Sequence, residues 1–280
     1  MNLVPAVSQA SPNPGTSSST PTGTTGTTTG TTGGTPTGTT TTTTTTPTAT
    51  IGTASSVPST ATVFHDIQAM DSWQSCAACA GINGSGPVAP YAMTQHVSSP
   101  SMTGNASQFW IGGSTPYSDV LWWRTLVGAS DLTANQNAHH FVYDLYYYMD
   151  NPGAAQVIEF DIDQYVNGRS LIFGSQCDYR GDGNWDVWDN VNSHWISTGI
   201  SCGTPVAYTW THAVLEVERT SDNRLHYISL TLNGNKHYLD WYYDSTASNW
   251  NGIDINYQMD GNYQQENYST WVDNMTLSIW

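Results

Sequence analysis

Positive charge is scarce in this chain of 280 residues. Six Lys and Arg stand against 22 Asp and Glu, the formal net charge is −16, and Lys236 is the only lysine. Nucleic acids and anionic membranes are bound through clustered Lys and Arg. The deficit therefore argues against both as partners and favours cations or neutral polar ligands.

Long apolar runs are also missing. No stretch of 18 apolar residues occurs, so no membrane insertion is expected. The first seven residues have neither the basic start nor the apolar centre of a signal peptide. We expect that the chain begins inside a longer precursor.

Charged side chains of either sign are absent before Asp66, and Pro12 to Pro58 is almost entirely Thr, Gly, Ser, Pro and Ala. Such a segment buries too little apolar surface to offset its ordering entropy. We predict a low-complexity stalk or linker over residues 1–60 and one folded domain over residues 61–280. Thr-rich tracts with proline are typical of O-glycosylated stalks, and an unmodified flexible linker is the alternative. The predicted glycosylation sites are Thr39, Thr40, Thr41, Thr42, Thr43, Thr44, Thr45 and Thr46.

Only four cysteines are present. Cys177 and Cys202 flank a loop rich in Asp, Gly and Trp, which a disulfide would stabilise by roughly 3 kcal/mol. Cys76 and Cys79 form a CxxC among small residues, and a second local disulfide is predicted there. A zinc site from all four cysteines is the alternative, although Cys177 and Cys202 lack the usual close spacing of a zinc-binding pair. Two disulfides predict an extracellular or cell-surface location.

Alternation of apolar and polar residues, the period of a half-buried strand, recurs through the predicted domain. Between Val157 and Val166 the apolar Ile158, Phe160 and Ile162 alternate with acidic residues, and Ala213 to Glu218 shows the same alternation. Asn233-Gly234 is a strong hairpin signal, and no convincing amphipathic helix occurs. The pattern predicts an all-β fold of about a dozen strands, in two antiparallel sheets packed face to face as a jelly-roll β-sandwich.

Three segments resemble a known family. They are Val157–Asp163, Trp250–Ile255 and Trp271–Leu277. Together they look like the concanavalin A-like lectin/glucanase superfamily, over most of residues 61–280. The resemblance implies a curved jelly roll whose concave face often binds glycans. Because that superfamily holds lectins, hydrolases, lyases and structural domains, fold alone leaves the function open.

Glu159, Asp161 and Asp163 lie on one face of the predicted strand, with neighbouring Cα atoms roughly 6.5–7 Å apart. Laminarinase-like members of the superfamily carry a similar Glu-x-Asp-x-Glu row. The resemblance implies Glu159 as nucleophile, Asp161 as its modulator and Asp163 in the acid/base position. Asp163 is one methylene shorter than the family's glutamate, which puts retaining hydrolysis in doubt. A solvated acidic face and non-catalytic ligand binding are the alternatives.

Twelve Trp and sixteen Tyr outnumber five Phe, and their flat, polar-edged rings suit both sugar stacking and core packing. Between Cys177 and Cys202, and close to Asp186, lie three tryptophans: Trp185, Trp188 and Trp195. We predict these four residues as ligand-binding, with loop packing of the tryptophans as the alternative.

The segment from Asp178 to Asp186 is rich in oxygen ligands and glycine, as hard cations require, but does not match an EF-hand. A structural Ca²⁺ is predicted as a candidate cofactor at Asp178 and Asp182, or at Asp273.

The leading hypothesis is a non-enzymatic extracellular module that binds glycans or mediates adhesion, displayed on a glycosylated stalk. One alternative is a structural subunit of a glycosylated filament, whose partners are neighbouring copies of itself. The other is a glycan hydrolase or lyase that uses Glu159, Asp161 and Asp163.

Overall fold

The computed structural model describes residues 57–77 and 88–280. Sheet A has eight strands: β1 (Thr62–Phe64), β3 (Tyr91–Val97), β4 (Ala106–Ile111), β6 (His140–Met149), β12 (Trp210–Arg219), β13 (Leu225–Leu232), β14 (Asn235–Tyr243) and β17 (Tyr268–Ile279). Sheet B has nine: β2 (Gln74–Cys76), β5 (Asp119–Val127), β7 (Ala155–Val166), β8 (Arg169–Phe173), β9 (Ser175–Asp178), β10 (Asn184–Asp189), β11 (His194–Ser201), β15 (Thr246–Ala247) and β16 (Gly252–Gly261). A 3-10 turn at Ile67–Ala69 and helix α1 (Leu132–Asn137) complete these elements.

All strand pairs are antiparallel. Sheet A runs in the order β14-β13-β12-β6-β17-β4-β3, with β1 beside the far end of β17. Sheet B runs β11-β10-β9-β7-β16-β5-β2, with β8 beside β7 and β15 beside β8. The predicted all-β jelly-roll sandwich is confirmed. The strand count exceeds the expected dozen because β1, β2 and β15 have only two or three residues, too few to show alternation.

The core lies between the two sheets and is largely aromatic. Phe109 of sheet A contacts Trp122 and Tyr257 of sheet B, with ring centroids 5.1 and 4.6 Å apart. Tyr147 of sheet A contacts Phe160 of sheet B at 5.4 Å. Since all five side chains are buried, these edge and tilted contacts hold the sheets together in the geometry that aromatic rings prefer.

The predicted hairpin turn and the predicted Cys177–Cys202 disulfide are also confirmed. Asn233 and Gly234 join β13 to β14, both at positive φ, as the tight hairpin turn requires. Cys177 and Cys202 form a disulfide with a Cα–Cα distance of 5.9 Å. Cys76 is also disulfide-bonded, whereas Cys79 and the predicted glycosylation sites Thr39 to Thr46 lie outside the described residues.

Strands β7 and β16 are adjacent at the centre of sheet B and are buried on both faces. The expected solvated face at Glu159, Asp161 and Asp163 is therefore wrong, because these side chains are at most 1% exposed. Alternation showed which way they point but not what surrounds them. No helix in residues 57–77 and 88–280 is long and apolar enough to cross a membrane.

Candidate functional site: the outer face of sheet B

The acidic row of β7 lies on the face of sheet B that points away from sheet A. Glu159, Asp161 and Asp163 alternate with apolar residues of the core cluster, such as Phe160 and Ile162. Asp161 accepts a hydrogen bond from the backbone N–H of Ser175 at 2.9 Å. The structure thus places the three predicted residues together on one face.

Strand β16 continues this face with a second polar row that alternates in the same way: Asp254, Asn256, Gln258 and Asp260. Directly opposed pairs across the two strands are Asp254–Asp163, Asn256–Asp161 and Gln258–Glu159. On the remaining strands, Gln176 of β9 lies opposite Glu159, Asp186 of β10 opposite Gln176, and Asp119 of β5 opposite Asp260. Five strands therefore contribute one continuous polar surface.

Amide side chains on this surface donate to its carboxylates. The three bonds are Gln176 Nε2 to Asp186 Oδ2 at 2.9 Å, Gln258 Nε2 to Asp260 Oδ1 at 3.0 Å, and Asn256 Nδ2 to Asp163 Oδ2 at 2.9 Å. An ionised carboxylate only accepts, so each amide directs its nitrogen toward it. The amide oxygens are left facing elsewhere.

Buried oxygens on this surface lack donors. Within the described part of the chain, no hydrogen-bond partner is found for Asp119 Oδ1, Asp163 Oδ1, Gln176 Oε1, Asp254 Oδ1, Asn256 Oδ1 and Gln258 Oε1. Each such group costs about 1–3 kcal/mol when buried without a partner. We call this surface the acceptor face, formed by Asp119, Glu159, Asp161, Asp163, Gln176, Asp186, Asp254, Asn256, Gln258 and Asp260.

Five carboxyls of the acceptor face have raised pKa values: those of Asp119, Asp163, Asp186, Asp254 and Asp260. Burial, followed by the charge of Asp161, raises the pKa of Asp163 well above its ordinary value. Burial also raises the pKa of Asp254, although Thr125 and the positive charge of Arg124 oppose the change. The end of the face at Asp163 and Asp254 is therefore a place where a proton or another cation relieves repulsion.

Three other carboxyls of the face also have raised pKa values. Burial raises the pKa of Asp119 to about 7 and that of Asp186 to about 6. The pKa of Asp260 rises well above its usual range through burial and then through the charge of Asp119. Perturbed carboxyls of this kind cluster at functional sites, although structural networks also produce them.

Tryptophans flank the acceptor face on both sides. Trp123 of β5 lies opposite Asn256, and its indole belongs to a small apolar cluster separate from the core. On the other side, Trp188 of β10 packs edge-on against Trp195 of β11 at 5.1 Å. Trp188 and Trp123 are four strand spacings apart, roughly 19 Å. Aromatic side chains thus lie at both margins of the acceptor face.

The predicted ligand-binding group is split by the structure. Asp186, Trp188 and Trp195 lie on the side of the acceptor face, whereas Trp185 points into the core and stacks on Phe160 at 6.3 Å. Residues 185 and 186 are successive in one strand, so their side chains must point to opposite faces. Trp185 is thereby removed from the candidate site.

The predicted calcium ligands are occupied by protein donors. Asp273 accepts six hydrogen bonds, including Ser101 Oγ at 2.6 Å and Thr103 Oγ1 at 2.7 Å. Burial acts to raise the pKa of Asp273, but these bonds hold it below its ordinary value. Asp178 accepts from the backbone of Gly181, and Asp182 from Asn184.

Over the described ranges, no group of three or more His, Cys, Asp and Glu is arranged to hold a metal ion. Calcium binding at Asp178, Asp182 or Asp273 stays a prediction.

Basic side chains are engaged away from the acceptor face. Five bind elsewhere: Arg169 to Ser245, Arg180 to Gly153, Arg219 to Gln164, Arg224 to Asp244 and Lys236 to Glu216. Arg124, beside Asp254, donates to the carbonyl of Thr125. No hydrogen bond from these six groups to Asp119, Asp163, Asp186, Asp254 or Asp260 is found in the described part of the chain.

The sequence interpretation missed the β16 half of the site and Trp123. The signal was available, because Gly252 to Asp260 alternates apolar and polar residues just as β7 does. Alternation does not reveal the pairing of β16 with β7, because the opposed polar positions are 91 to 99 residues apart in the chain.

Comparison with solved structures finds similar chains at low identity. A carbohydrate esterase from the Shiga toxin-encoding bacteriophage phi24B shares 11% identity, covers 78% of this chain and 99% of its own, and has a TM-score of 0.44. Peanut lectin shares 11% identity over 79% and 98%, with a TM-score of 0.42. An alginate lyase variant in complex with alginate trisaccharide shares 12% identity over 61% and 80%, with a TM-score of 0.38.

At these identities and TM-scores the likeness concerns the fold alone. No protein-family model and no curated protein matches the sequence.

Proposed function

We propose that this protein is a glycan-binding jelly-roll module and that its acceptor face is the binding site. The observation that carries the proposal is the set of buried oxygens without donors on one sheet face. Native proteins rarely leave such groups unsatisfied. A ligand rich in hydroxyl groups supplies the missing donors, and sugars are such ligands.

The flanking tryptophans support a sugar as the occupant. Pyranose rings present apolar C–H faces, which pack against indole rings while the ring hydroxyls reach polar groups. Trp195 is half-buried, and Trp123 and Asp186 are 7% and 6% exposed, so both margins are more open than the centre of the face. A ligand would contact these margins first and displace the packing over the centre.

The proposal includes display outside the cell, on the Thr-rich stalk predicted over residues 1–60. The Cys177–Cys202 disulfide supports this location, because disulfides persist mainly in oxidising compartments. Mass analysis of the native protein tests it directly. Hexose-type additions on the Thr39–Thr46 peptide are expected, and an unmodified peptide from native material would remove the glycosylated stalk from the proposal.

The binding proposal is tested with the full chain and a panel of neutral oligosaccharides, by titration calorimetry. At least one is expected to bind, and Trp123→Ala is expected to weaken that binding at least tenfold, about 1.4 kcal/mol. Trp271→Ala is the matched control, since Trp271 lies on sheet A beside Tyr148. No binding by the wild type, or equal loss in both variants, would sink the proposal.

A hydrolase is the second candidate function, favoured by one observation. Asp163 has a pKa raised by burial and by Asp161, which is the property that a glycosidase requires of its proton donor. Glu159, the implied nucleophile, lies on the same face four residues earlier. Sugar release from a neutral polysaccharide that is abolished in Glu159→Gln would establish this candidate, whereas unchanged activity in that variant would remove it.

A further inference from the structure

The chemistry of the acceptor face restricts the class of glycan. Each of its three amide nitrogens donates a hydrogen bond to a carboxylate, and the buried atoms of the face that are left without a partner are oxygens. A ligand that donates hydrogen bonds therefore satisfies this surface. Ligands that carry carboxylates or sulfates would bring further acceptors and negative charge to it.

One end of the face has the geometry for a cation. Asp163 and Asp254 are directly opposed on neighbouring strands, where Cβ atoms lie roughly 4.5–5.5 Å apart. Asn256 follows Asp254 by two residues, on the same face. Each of the three has one oxygen without a donor, namely Asp163 Oδ1, Asp254 Oδ1 and Asn256 Oδ1.

An ammonium group matches these three oxygens in number and charge. It has three N–H donors and no acceptor, and charge-assisted hydrogen bonds to carboxylates are stronger than neutral ones. Asn256 is 2% exposed, and because its Nδ2 donates to Asp163 Oδ2, its Oδ1 is a buried acceptor without a partner on the same face as the two carboxyls. This observation is independent of the acidic character of the site.

We propose that the acceptor face is selective for glycans with unmodified amino groups, and that the ammonium binds among Asp163, Asp254 and Asn256. The inference rests on the proposed function and names its ligand class. Other charged or titratable groups facing this end are Asp161, Tyr165, whose hydroxyl donates to Asp163 Oδ2, and Arg124. Since three carboxyls face one guanidinium at this end, a bound cation would reduce the repulsion among the carboxyls.

Selectivity is tested by titrating the full chain with three tetrasaccharides in low salt. These are a glucosamine tetramer, a glucose tetramer of the same β-1,4 linkage, and a galacturonate tetramer. The amine is expected to bind at least tenfold more tightly than the neutral sugar, and the uronate not at all. In 1 M salt the advantage of the amine should shrink, because the charges are then screened.

Variants place the effect at the proposed site. Asp254→Asn is expected to reduce the ratio of amine to neutral affinity at least fivefold. Asp244→Asn is the control, because this exposed carboxylate is bound to Arg224 on another part of the surface, and it should leave the ratio unchanged. A thermal melt of each variant confirms folding.

The outcomes separate the two proposals. Equal affinities for the amine and the neutral sugar, or tighter binding of the neutral one, overturn the amine preference and leave glycan binding intact. Loss of the preference in Asp244→Asn but not in Asp254→Asn overturns the location. If neither sugar binds, both the preference and the proposed function are wrong.

Discussion

Asp163 on β7 lies directly opposite Asp254 on β16, and both side chains are at most 2% exposed. Carboxyls placed in this way repel one another when ionised. Burial alone already raises the pKa of each. The burial of these two carboxyls consequently lowers the stability of the folded domain. Such a local loss of stability is expected at a functional site rather than in a structural core.

The protein is expected to lose stability as the pH rises from 4 to 8. Folded Asp119 keeps its proton up to about pH 7, whereas the unfolded chain releases it near 3.8. Between these values the unfolded state binds fewer protons, so the free energy of unfolding falls with rising pH. Asp119 alone contributes roughly 4 kcal/mol to this fall. Urea unfolding at pH 4.5 and pH 8 measures it.

Asp119→Asn serves as the control for the pH dependence. The variant has no carboxyl to ionise at this position, so its stability should fall less steeply than that of the wild type. A wild type that is as stable at pH 8 as at pH 4.5 would contradict the raised pKa values of the acceptor face.

Asp273→Ala is expected to destabilise the domain by about 3 kcal/mol or more. The carboxylate accepts from the 101–103 segment and from Gln68, and its removal deprives the buried Gln68 amide and the partly buried donors of that segment of this acceptor. Urea unfolding gives the value. Asp244→Ala removes an exposed carboxylate and should change stability by only about 0.5 kcal/mol or less. Equal effects of the two substitutions would contradict the anchoring role of Asp273.

Removing the disulfide through Cys177→Ala with Cys202→Ala is expected to cost about 3.5 kcal/mol, from the 25-residue separation of the two cysteines. The cross-link lowers the entropy of the unfolded chain, so the midpoint of urea unfolding should fall. A loss below about 1 kcal/mol would mean that the unfolded chain is already compact around this loop.

The two tryptophans of β10, Trp185 and Trp188, point to opposite faces of sheet B and test which face binds the glycan. Trp188→Ala is expected to weaken glycan binding at least tenfold, whereas Trp185→Phe should leave it unchanged. Trp185 packs in the core on Phe160, so its variant affects stability instead. Titration of both variants with the same oligosaccharide decides the matter, and loss of binding in Trp185→Phe alone would contradict the assignment of faces.

The fold could be predicted from the sequence because its signals are local. The alternation in β7, the Asn233-Gly234 turn and the Cys177–Cys202 pair are each contained within about 25 residues of chain. These are the patterns that period, turn chemistry and cysteine spacing express.

The site could be predicted only in part, because it depends on contacts between distant segments. Asp161 and Asn256 meet across strands 95 residues apart in the chain. The acidic row was recognised, but its burial and its amide partners follow from strand order, which alternation does not encode. Trp185 was misplaced for a related reason, since closeness in sequence was given more weight than the two-residue period of the strand.

The central claim is that the acceptor face binds a glycan, and the side-chain amide NMR signals of that face report on it most directly. On titration with a binding oligosaccharide, the NH₂ resonances of Gln176, Asn256 and Gln258 are predicted to shift. Those of Gln108, which bonds to Ser269 on sheet A, should not move. Shifts confined to Gln108 and its surroundings, with the three acceptor-face amides unmoved, would contradict the account.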